Sequence, residues 1–293
     1  MKKVRIVEVG PRDGLQNQKA LIDAGDKIAL IQKLEETGLK DIEITSFVSP
    51  KAIPQLADSV EVARGVLTIA RPDVTYWALT PNLKGFENAL AAGIRHVAVF
   101  TAASETFNRN NINKSIAESF EAFKPVIAAA RQNGCVVRGY VSTAFWCPYE
   151  GKIDPQKTVD VTRTLYEMGV SELSIGDTIG KATPEEVRQL LQPLASVIPI
   201  KHIAMHFHDT YGHALENIKA SLALGVSVYD SSVAGVGGCP YAPGASGNVA
   251  TEAVVRLMNS LGIDTGVDLA KLETTGRWLQ DVLLKTSNPA AAG

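Results

Sequence analysis

Short runs of apolar and β-branched residues alternate with amphipathic stretches along the whole chain. Most of these runs are almost continuously apolar, which is typical of parallel strands that helices cover. The pattern predicts strands at residues 4–9, 41–45, 74–79, 96–101, 136–143, 172–176, 202–208 and 227–231. Strands and helices that alternate in this way indicate an α/β protein with a parallel sheet.

The stretches between the strands carry signals for helix starts and ends. Ser115 to Glu118 and Thr183 to Glu186 each fit a capping box, and Thr80-Pro81 and Asp154-Pro155 are further candidate starts. A glycine followed by an apolar residue closes the helix before a strand at five joints, because glycine readily adopts the left-handed conformation: Gly38, Gly93, Gly134, Gly169 and Gly225.

The number of elements favours a particular architecture. About eight strands and eight helices fit a (β/α)8 TIM barrel in a chain of 293 residues. A doubly wound open sheet is the alternative. We expect residues 1–287 to form a single TIM-barrel catalytic domain, with an additional C-terminal helix at 266–287, and we expect the tail 288–293 to fray.

Charge and hydropathy exclude several classes of protein. The chain has 29 Lys and Arg residues against 31 Asp and Glu residues, so its net charge of −2 offers no basic excess to nucleic acid or an anionic membrane. Its mean hydropathy is +0.05. No apolar run reaches the roughly 18–20 residues that a membrane-spanning helix needs.

Cysteine usage points to a reducing compartment. Cys135, Cys147 and Cys239 form no CxxC pair, which argues against a disulfide framework and against a thiolate zinc site. Arg5 and Glu8 interrupt the apolar start of the chain, so no signal peptide is predicted. We therefore expect a cytoplasmic protein.

Polar residues collect where the predicted strands end, which is where TIM barrels build their active sites. At or just after the ends of the first, sixth, seventh and eighth strands lie Arg12, Asp13, Asp177, His206, His208 and Asn248, and the second strand carries Glu43. Packing alone does not explain this distribution.

The His206-Phe207-His208 segment is the most informative of these. Residues two apart on a strand point to the same side, so both imidazoles face together. They are either hydrogen-bonded core histidines or half of a metal site. With Asp13 and Asn248 from neighbouring strand ends, two nitrogen and two oxygen ligands would favour Mg²⁺ or Mn²⁺ over a structural zinc.

Other polar residues have structural interpretations as well. Glu43 lies between two isoleucines and either joins a catalytic network or neutralises Arg12. Asp209 is interpreted as a helix cap, and Asp230 as structural.

A glycine-rich segment at 235–247 predicts a mobile loop that closes over a substrate. It is not a phosphate-binding P-loop, because no Gly-Lys-Ser/Thr follows. Cys239 in this loop could deliver or remove a proton. Cys147 repeats the Cys-Pro-Tyr tripeptide without the surrounding glycines and is interpreted as a buried or half-buried loop thiol.

Three segments resemble the 3-hydroxy-3-methylglutaryl-CoA lyase family: residues 7–17 (VEVGPRDGLQN), 206–212 (HFHDTYG) and 237–242 (GGCPYA). The first two are shared by a wider group of divalent-metal barrels that make or break bonds beside an acyl-CoA or pyruvate enolate. The loop GGCPYAPGASGNVATE is the part that points to the lyase. The resemblance covers nearly the whole chain.

The resemblance implies a carbon–carbon lyase that cleaves (S)-3-hydroxy-3-methylglutaryl-CoA to acetyl-CoA and acetoacetate, in leucine degradation and ketone-body formation. It implies Mg²⁺ or Mn²⁺ on Asp13, His206, His208 and Asn248, with Glu252 supporting the hydrogen bonds on the metal side. It also implies a homodimer.

The same resemblance assigns roles in the reaction. It places Arg12 at the substrate carbonyl, Gln16 in substrate binding and Cys239 as the proton-handling thiol. Glu43 and Asp177 would belong to the acid/base network.

Three alternatives stay open. One is a condensing synthase of the isopropylmalate or homocitrate type, and another is a barrel that has lost catalysis. The third is a lyase for a related 3-hydroxy-3-alkylglutaryl-CoA, since one methylene in an apolar pocket discriminates by only about 1–3 kcal/mol.

Overall fold

Eight parallel strands close into a barrel in the computed structural model, which describes residues 3–237 and 247–287. The barrel strands are β1 (Arg5–Glu8), β2 (Asp41–Ser46), β3 (Thr75–Leu79), β4 (His96–Ala102), β5 (Val136–Ser142), β6 (Glu172–Asp177), β7 (Ile203–Phe207) and β8 (Val228–Ser231). Each strand pairs with the strands before and after it in the chain, and β8 pairs with β1. The predicted TIM barrel is confirmed, and the open sheet is wrong.

The predicted strands agree with the observed ones to within one residue at each end. Among the described strands, the sequence missed a short antiparallel hairpin in which Trp146–Cys147 pairs with Gly151–Lys152. Two residues a side are too few to show the alternating pattern by which strands are recognised.

Ten helices lie in the described part of the chain: α1 (Ala24–Glu36), α2 (Ser59–Thr68), α3 (Leu83–Ala91), α4 (Glu105–Ile112), α5 (Ile116–Gln132), α6 (Pro155–Glu167), α7 (Pro184–Val197), α8 (Ala214–Ala223), α9 (Thr251–Ser260) and α10 (Leu269–Ser287). The last is the additional C-terminal helix predicted from the sequence. The tail 288–293 lies outside the described residues.

Local signals set most helix boundaries. Both predicted capping boxes form at Ser115 and Thr183, and Asp154 caps α6. The start predicted at Thr80 is wrong, because the N-cap of α3 is Asn82, whose side chain accepts a hydrogen bond from the Gly85 N–H.

The helix-to-strand joints follow the predicted geometry. Gly38 has a φ of +97° and Gly169 a φ of +100°, and the other three predicted joint glycines also have positive φ values. A side chain with a Cβ would be strained there, so these glycines allow each helix to turn directly into the next strand.

The apolar core lies mainly between the strands and the surrounding helices, whereas the barrel interior also holds charge. Arg138 and Glu43 are fully buried, and Asp230 is 2% exposed. Buried charges of this kind need ion-pair or hydrogen-bond partners, and here those partners include residues of the candidate site. In the described ranges, no helix has both the length and the apolarity to cross a membrane.

Candidate active site

Arg12 and Asp13 lie on a wide helical turn, Gly10–Gly14, that follows β1. The turn is closed by hydrogen bonds from the Asp13 and Gly14 N–H groups to the Val9 carbonyl, at 2.7 and 3.2 Å. This geometry directs both charged side chains toward the carboxyl end of the barrel, where His206 and His208 lie on and just after β7.

Asn248 reaches the site by pairing with the end of β7. His208 and Asn248 form an antiparallel bridge, which is supported by bonds from the Asp209 N–H to the Gly247 carbonyl (2.7 Å) and from the Val249 N–H to the Phe207 carbonyl (3.1 Å). Asn248 Nδ2 then donates to Asp13 Oδ2 at 2.9 Å. The chain therefore brings the four predicted metal ligands together.

Glycine is required beside Asn248. Gly237 has a φ of +115°, and a Cβ there would lie 2.5 Å from Asn248 Nδ2. Any side chain at this position would displace the Asn248 amide.

The donor atoms fit a divalent cation. Asp13, His206 and His208 each bring one ligand atom within 4.8 Å of the others. His208 Nδ1 and Asn248 Oδ1 are buried with no hydrogen-bond partner among the described residues. Burial and the neighbouring His206 lower the pKa of His208 to about 3, so its imidazole is neutral, as a metal ligand must be.

Arg12 is held between two carboxylates. Its Nε donates to Glu43 Oε2 at 2.7 Å and its Nη1 to Asp13 Oδ1 at 2.8 Å. Burial opposes the charge, but Glu43 and Asp13 raise the pKa of the guanidinium, which stays protonated. The Arg12 Cζ also lies 5.3 Å from the centre of the Tyr140 ring, within the range of a cation–π contact.

Glu43 therefore neutralises Arg12, one of the two interpretations made from the sequence. Burial raises the pKa of Glu43, and Arg12 opposes that rise. The second carboxylate oxygen, Oε1, is buried and has no partner within the described ranges. A catalytic role for Glu43 stays a prediction.

Arg12, Asp13, His206 and His208 line one cavity. Gln16 lies at its edge, where Nε2 is 3.3 Å from Asp13 Oδ1. Other polar residues also line it, among them Ser142 and Ser174, and apolar side chains line it from β4, α4 and β5: Phe100, Phe107 and Val141.

Two of the predicted site residues point elsewhere. Asp177 accepts hydrogen bonds from the Lys181 and Ala182 N–H groups, and its burial raises its pKa to about 7. Glu252 accepts both of its described hydrogen bonds from the Ala234 N–H. Neither carboxylate has a described hydrogen bond to a predicted metal ligand, and the expected support of the metal side by Glu252 stays a prediction.

The two Cys-Pro-Tyr cysteines have different outcomes. Cys239 and the rest of the segment 238–246 lie outside the described residues. Cys147 is buried, as predicted, and its thiol donates to Ser104 Oγ at 3.0 Å, but it lies on a strand of the short hairpin and not in a loop. The Asp209 carboxylate accepts a bond from the Ala214 N–H at 3.0 Å, so it contacts the first residue of α8, although the N-cap position is held by His213.

Sequence reasoning missed a second group of charged residues below the cavity. Arg138 pairs with Asp230, and Asp230 contacts His206. Burial alone would raise the pKa of Asp230, but Arg138 and His206 hold it well below its usual range. A signal existed, because Arg138 is a charged residue within the apolar strand VVRGYVS.

Comparison with known proteins decides the family. A family model described as HMGL-like matches residues 3–279, almost the full chain. The chain belongs to the HMGL-like family. The family predicted from the Arg-Asp turn, the HxHD motif and the glycine-rich loop is therefore confirmed.

Several proteins that this chain resembles are named as lyases. A Pseudomonas aeruginosa protein, 3-hydroxy-3-isohexenylglutaryl-CoA/hydroxy-methylglutaryl-CoA lyase, is 55% identical over 99% of this chain and 96% of its own length. A cytoplasmic 3-hydroxy-3-methylglutaryl-CoA lyase of Mus musculus is 52% identical over 99% of this chain and 84% of its own length. The crystal structure of hydroxymethylglutaryl-CoA lyase from Pseudomonas aeruginosa matches with a TM-score of 0.94 at 53% identity, covering 100% of this chain and 99% of that one.

Proposed function

We propose that this chain is a hydroxymethylglutaryl-CoA lyase, a carbon–carbon lyase that cleaves (S)-3-hydroxy-3-methylglutaryl-CoA to acetyl-CoA and acetoacetate. One observation carries the proposal. Arg12, Asp13, His206, His208 and Asn248 meet at one end of a barrel whose full-length relatives, at 52–55% identity, are named as such lyases.

The proposed cofactor is Mg²⁺ or Mn²⁺, held by Asp13, His206, His208 and Asn248. Two nitrogen and two oxygen donors without a thiolate suit these ions. The buried, unpartnered His208 Nδ1 and Asn248 Oδ1 support the assignment, because buried polar atoms without a partner are costly. A cation bound there would acidify and orient the 3-hydroxyl of the substrate.

Arg12 is proposed to stabilise the negative thioester oxygen that develops as the bond breaks. Its described contacts use Nε and one Nη1 N–H, and a guanidinium has five N–H donors. Glu43 and Asp13 fix its orientation before the substrate binds, so little reorganisation is needed in the transition state. Gln16 is proposed to contact the substrate at the edge of the same cavity.

The proton transfers complete the reaction. The 3-hydroxyl gives its proton to a base, the C2–C3 bond breaks, and its electron pair remains on the departing acetyl-CoA unit as an enolate. Acetoacetate is the other product, and Cys239 is proposed to protonate the enolate carbon. We assign Glu43 and Asp177 to the acid/base network. Glu43 contacts Arg12 directly, and Asp177 has a pKa of about 7, although its described hydrogen bonds come from the Lys181 and Ala182 N–H groups.

The cellular setting is part of the same proposal. We propose a cytoplasmic homodimer in leucine degradation and ketone-body formation, acting on an acyl-CoA and on neither nucleic acid nor membrane. The free thiols of Cys135 and Cys147 suit a reducing compartment, and the Mus musculus relative is named as cytoplasmic. The dimer rests on the family resemblance alone.

A second candidate substrate has a longer alkyl group. The Pseudomonas aeruginosa relative is named for 3-hydroxy-3-isohexenylglutaryl-CoA as well as for the methyl compound. Phe100, Phe107 and Val141 give the cavity of this chain an apolar wall that could contact such a group. The ratio of kcat/KM for the two thioesters distinguishes these candidates.

The central test is acetoacetate release from hydroxymethylglutaryl-CoA with and without Mg²⁺. We expect stoichiometric acetyl-CoA and acetoacetate only when Mg²⁺ is present. Condensation of acetyl-CoA with a 2-oxo acid, without cleavage, would instead identify a synthase. No turnover of either kind would identify a barrel that has lost catalysis.

A further inference from the structure

Asp230 contacts one of the two site histidines and not the other. It lies on β8 directly opposite His206 of β7, and its Oδ2 is 3.3 Å from His206 Nδ1. In contrast, His208 Nδ1 has no hydrogen-bond partner among the described residues. The two imidazoles are therefore held in different ways.

The Asp230 carboxylate is fixed by three other hydrogen bonds. Arg138 donates from Nη2 to Oδ1 at 2.5 Å and from Nη1 to Oδ2 at 3.2 Å, and Ser174 Oγ donates to Oδ2 at 2.6 Å. A carboxylate bound by a bidentate guanidinium is ionised and can only accept hydrogen bonds. His206 must therefore carry a hydrogen on Nδ1 to bond to it.

The anchor behind Asp230 extends through the barrel interior. Arg138 Nε donates to Glu172 Oε1 at 2.8 Å, and Glu172 also pairs with Arg5. Arg5 in turn donates to Asp41 Oδ1 at 2.7 Å. This column of ion pairs is built from strand residues alone, so it holds Asp230 independently of the loops that form the cavity.

We propose that Asp230 is a positioning residue that holds the proton on His206 Nδ1 and so leaves His206 Nε2 as the nitrogen that binds the cation. A histidine that ligates a metal through one nitrogen gains in orientation and basicity when its other N–H is bound to a carboxylate. The proposal rests on the proposed function only in that the site binds a divalent cation. It does not depend on which thioester is cleaved.

Asp230→Asn tests the proposal, because the amide has the same shape but one donor and one acceptor arm. The NH₂ group of the asparagine must then face either the Arg138 guanidinium or the His206 N–H, and two donors cannot hydrogen-bond to each other. We expect the Kd for Mn²⁺, measured by electron paramagnetic resonance titration of the unliganded ion, to rise about 10- to 100-fold. Wild-type affinity in a folded Asp230→Asn protein would overturn the proposal.

Glu172→Gln is the matched control. It removes a charge from the same column but leaves the Asp230 contact with His206 in place, so we expect a lower Tm and an unchanged Kd for Mn²⁺. If Glu172→Gln weakens Mn²⁺ binding as much as Asp230→Asn does, the effect is general destabilisation and the proposal fails.

A measurement on the wild-type protein covers the case in which Asp230→Asn does not fold. Nitrogen-15 NMR of the Mg²⁺-loaded chain should show His206 protonated at Nδ1 and unprotonated at Nε2, and the opposite tautomer would overturn the proposal. Absence of Mn²⁺ binding by the wild-type chain would overturn both this proposal and the cofactor part of the proposed function. Normal wild-type binding with no effect of Asp230→Asn would overturn the positioning role alone.

Discussion

Arg12 and Glu43 form a buried ion pair in which Arg12 Nε donates to Glu43 Oε2 at 2.7 Å, while Arg12 Nη1 donates to Asp13 Oδ1 at 2.8 Å. A single guanidinium thus links a residue of β2 to a proposed metal ligand. Lysine cannot reproduce this arrangement, because its ammonium group lacks the planar fork.

Arg12→Lys should therefore lower kcat about 10²- to 10³-fold with little change in KM, because loss of one preorganised oxyanion donor costs about 3–4 kcal/mol in the transition state. Steady-state kinetics with hydroxymethylglutaryl-CoA measure both constants. A normal kcat with a raised KM would place Arg12 on a carboxylate or phosphate of the substrate instead.

Metal removal should abolish turnover. We expect EDTA to inactivate the protein and Mg²⁺ or Mn²⁺ to restore it, and the added ion should also raise the Tm. At a free ion concentration of 100 Kd, the stabilisation is about 2.7 kcal/mol. Full activity in a metal-free preparation would contradict the assignment of all four ligands.

Two histidine variants test whether the added ion binds at the proposed ligands. His208→Ala should lose the rise in Tm on adding Mn²⁺, because it removes a proposed ligand. His202→Ala should keep it, since the His202 ring contacts the Ser171 carbonyl before β7 begins. Equal loss in both variants would show that the ion stabilises the chain elsewhere.

The two Cys-Pro-Tyr cysteines should differ in their effect on the rate. Cys239→Ser should lower kcat about 10²- to 10⁴-fold, because a hydroxyl is a far weaker acid than a thiol. Cys147→Ser should lower the free energy of unfolding slightly and leave kcat near normal, since Cys147 is buried against Ser104. If Cys147→Ser lowered kcat more than Cys239→Ser did, the proton-handling thiol would be Cys147 and the role proposed for Cys239 would be wrong.

Glu8 should make stability fall as the pH rises. Burial raises the pKa of Glu8 from 4.5 to about 7, although Thr251 and the Val233 and Gly10 N–H groups oppose the rise. Between these values the folded chain holds a proton that the unfolded chain has lost, so the contribution of Glu8 to stability is greatest below pH 4.5 and is lost toward pH 7. The full shift corresponds to about 3 kcal/mol.

Glu8→Gln isolates this contribution. The glutamine amide can accept from the Gly10 and Val233 N–H groups through its oxygen and donate to Thr251 Oγ1, so the hydrogen bonds are preserved. Urea unfolding in EDTA should show wild type losing stability relative to Glu8→Gln between pH 5 and pH 8. A constant difference across this range would refute the prediction.

The elements of the fold could be predicted because their signals are local. The strand runs, the capping boxes at Ser115 and Thr183 and the glycine joints each depend on residues within one or two turns of chain. The candidate ligands were predictable for a related reason. In a TIM barrel all strands end at one face, so His206, His208 and Asp13 had to approach one another once the fold was known.

Tertiary structure alone decided which polar residues contact one another. Asp230, which the sequence indicated to be structural, contacts His206 because the register of β7 and β8 sets these residues side by side. Glu252 lies one turn beyond Asn248 in sequence, yet its carboxylate binds the Ala234 N–H across the loop. Hydrophobic periodicity and helix caps depend on residues that lie close together in the sequence. The partner of a buried charge depends instead on the strand register and on the path of the loops, which sequence patterns do not encode.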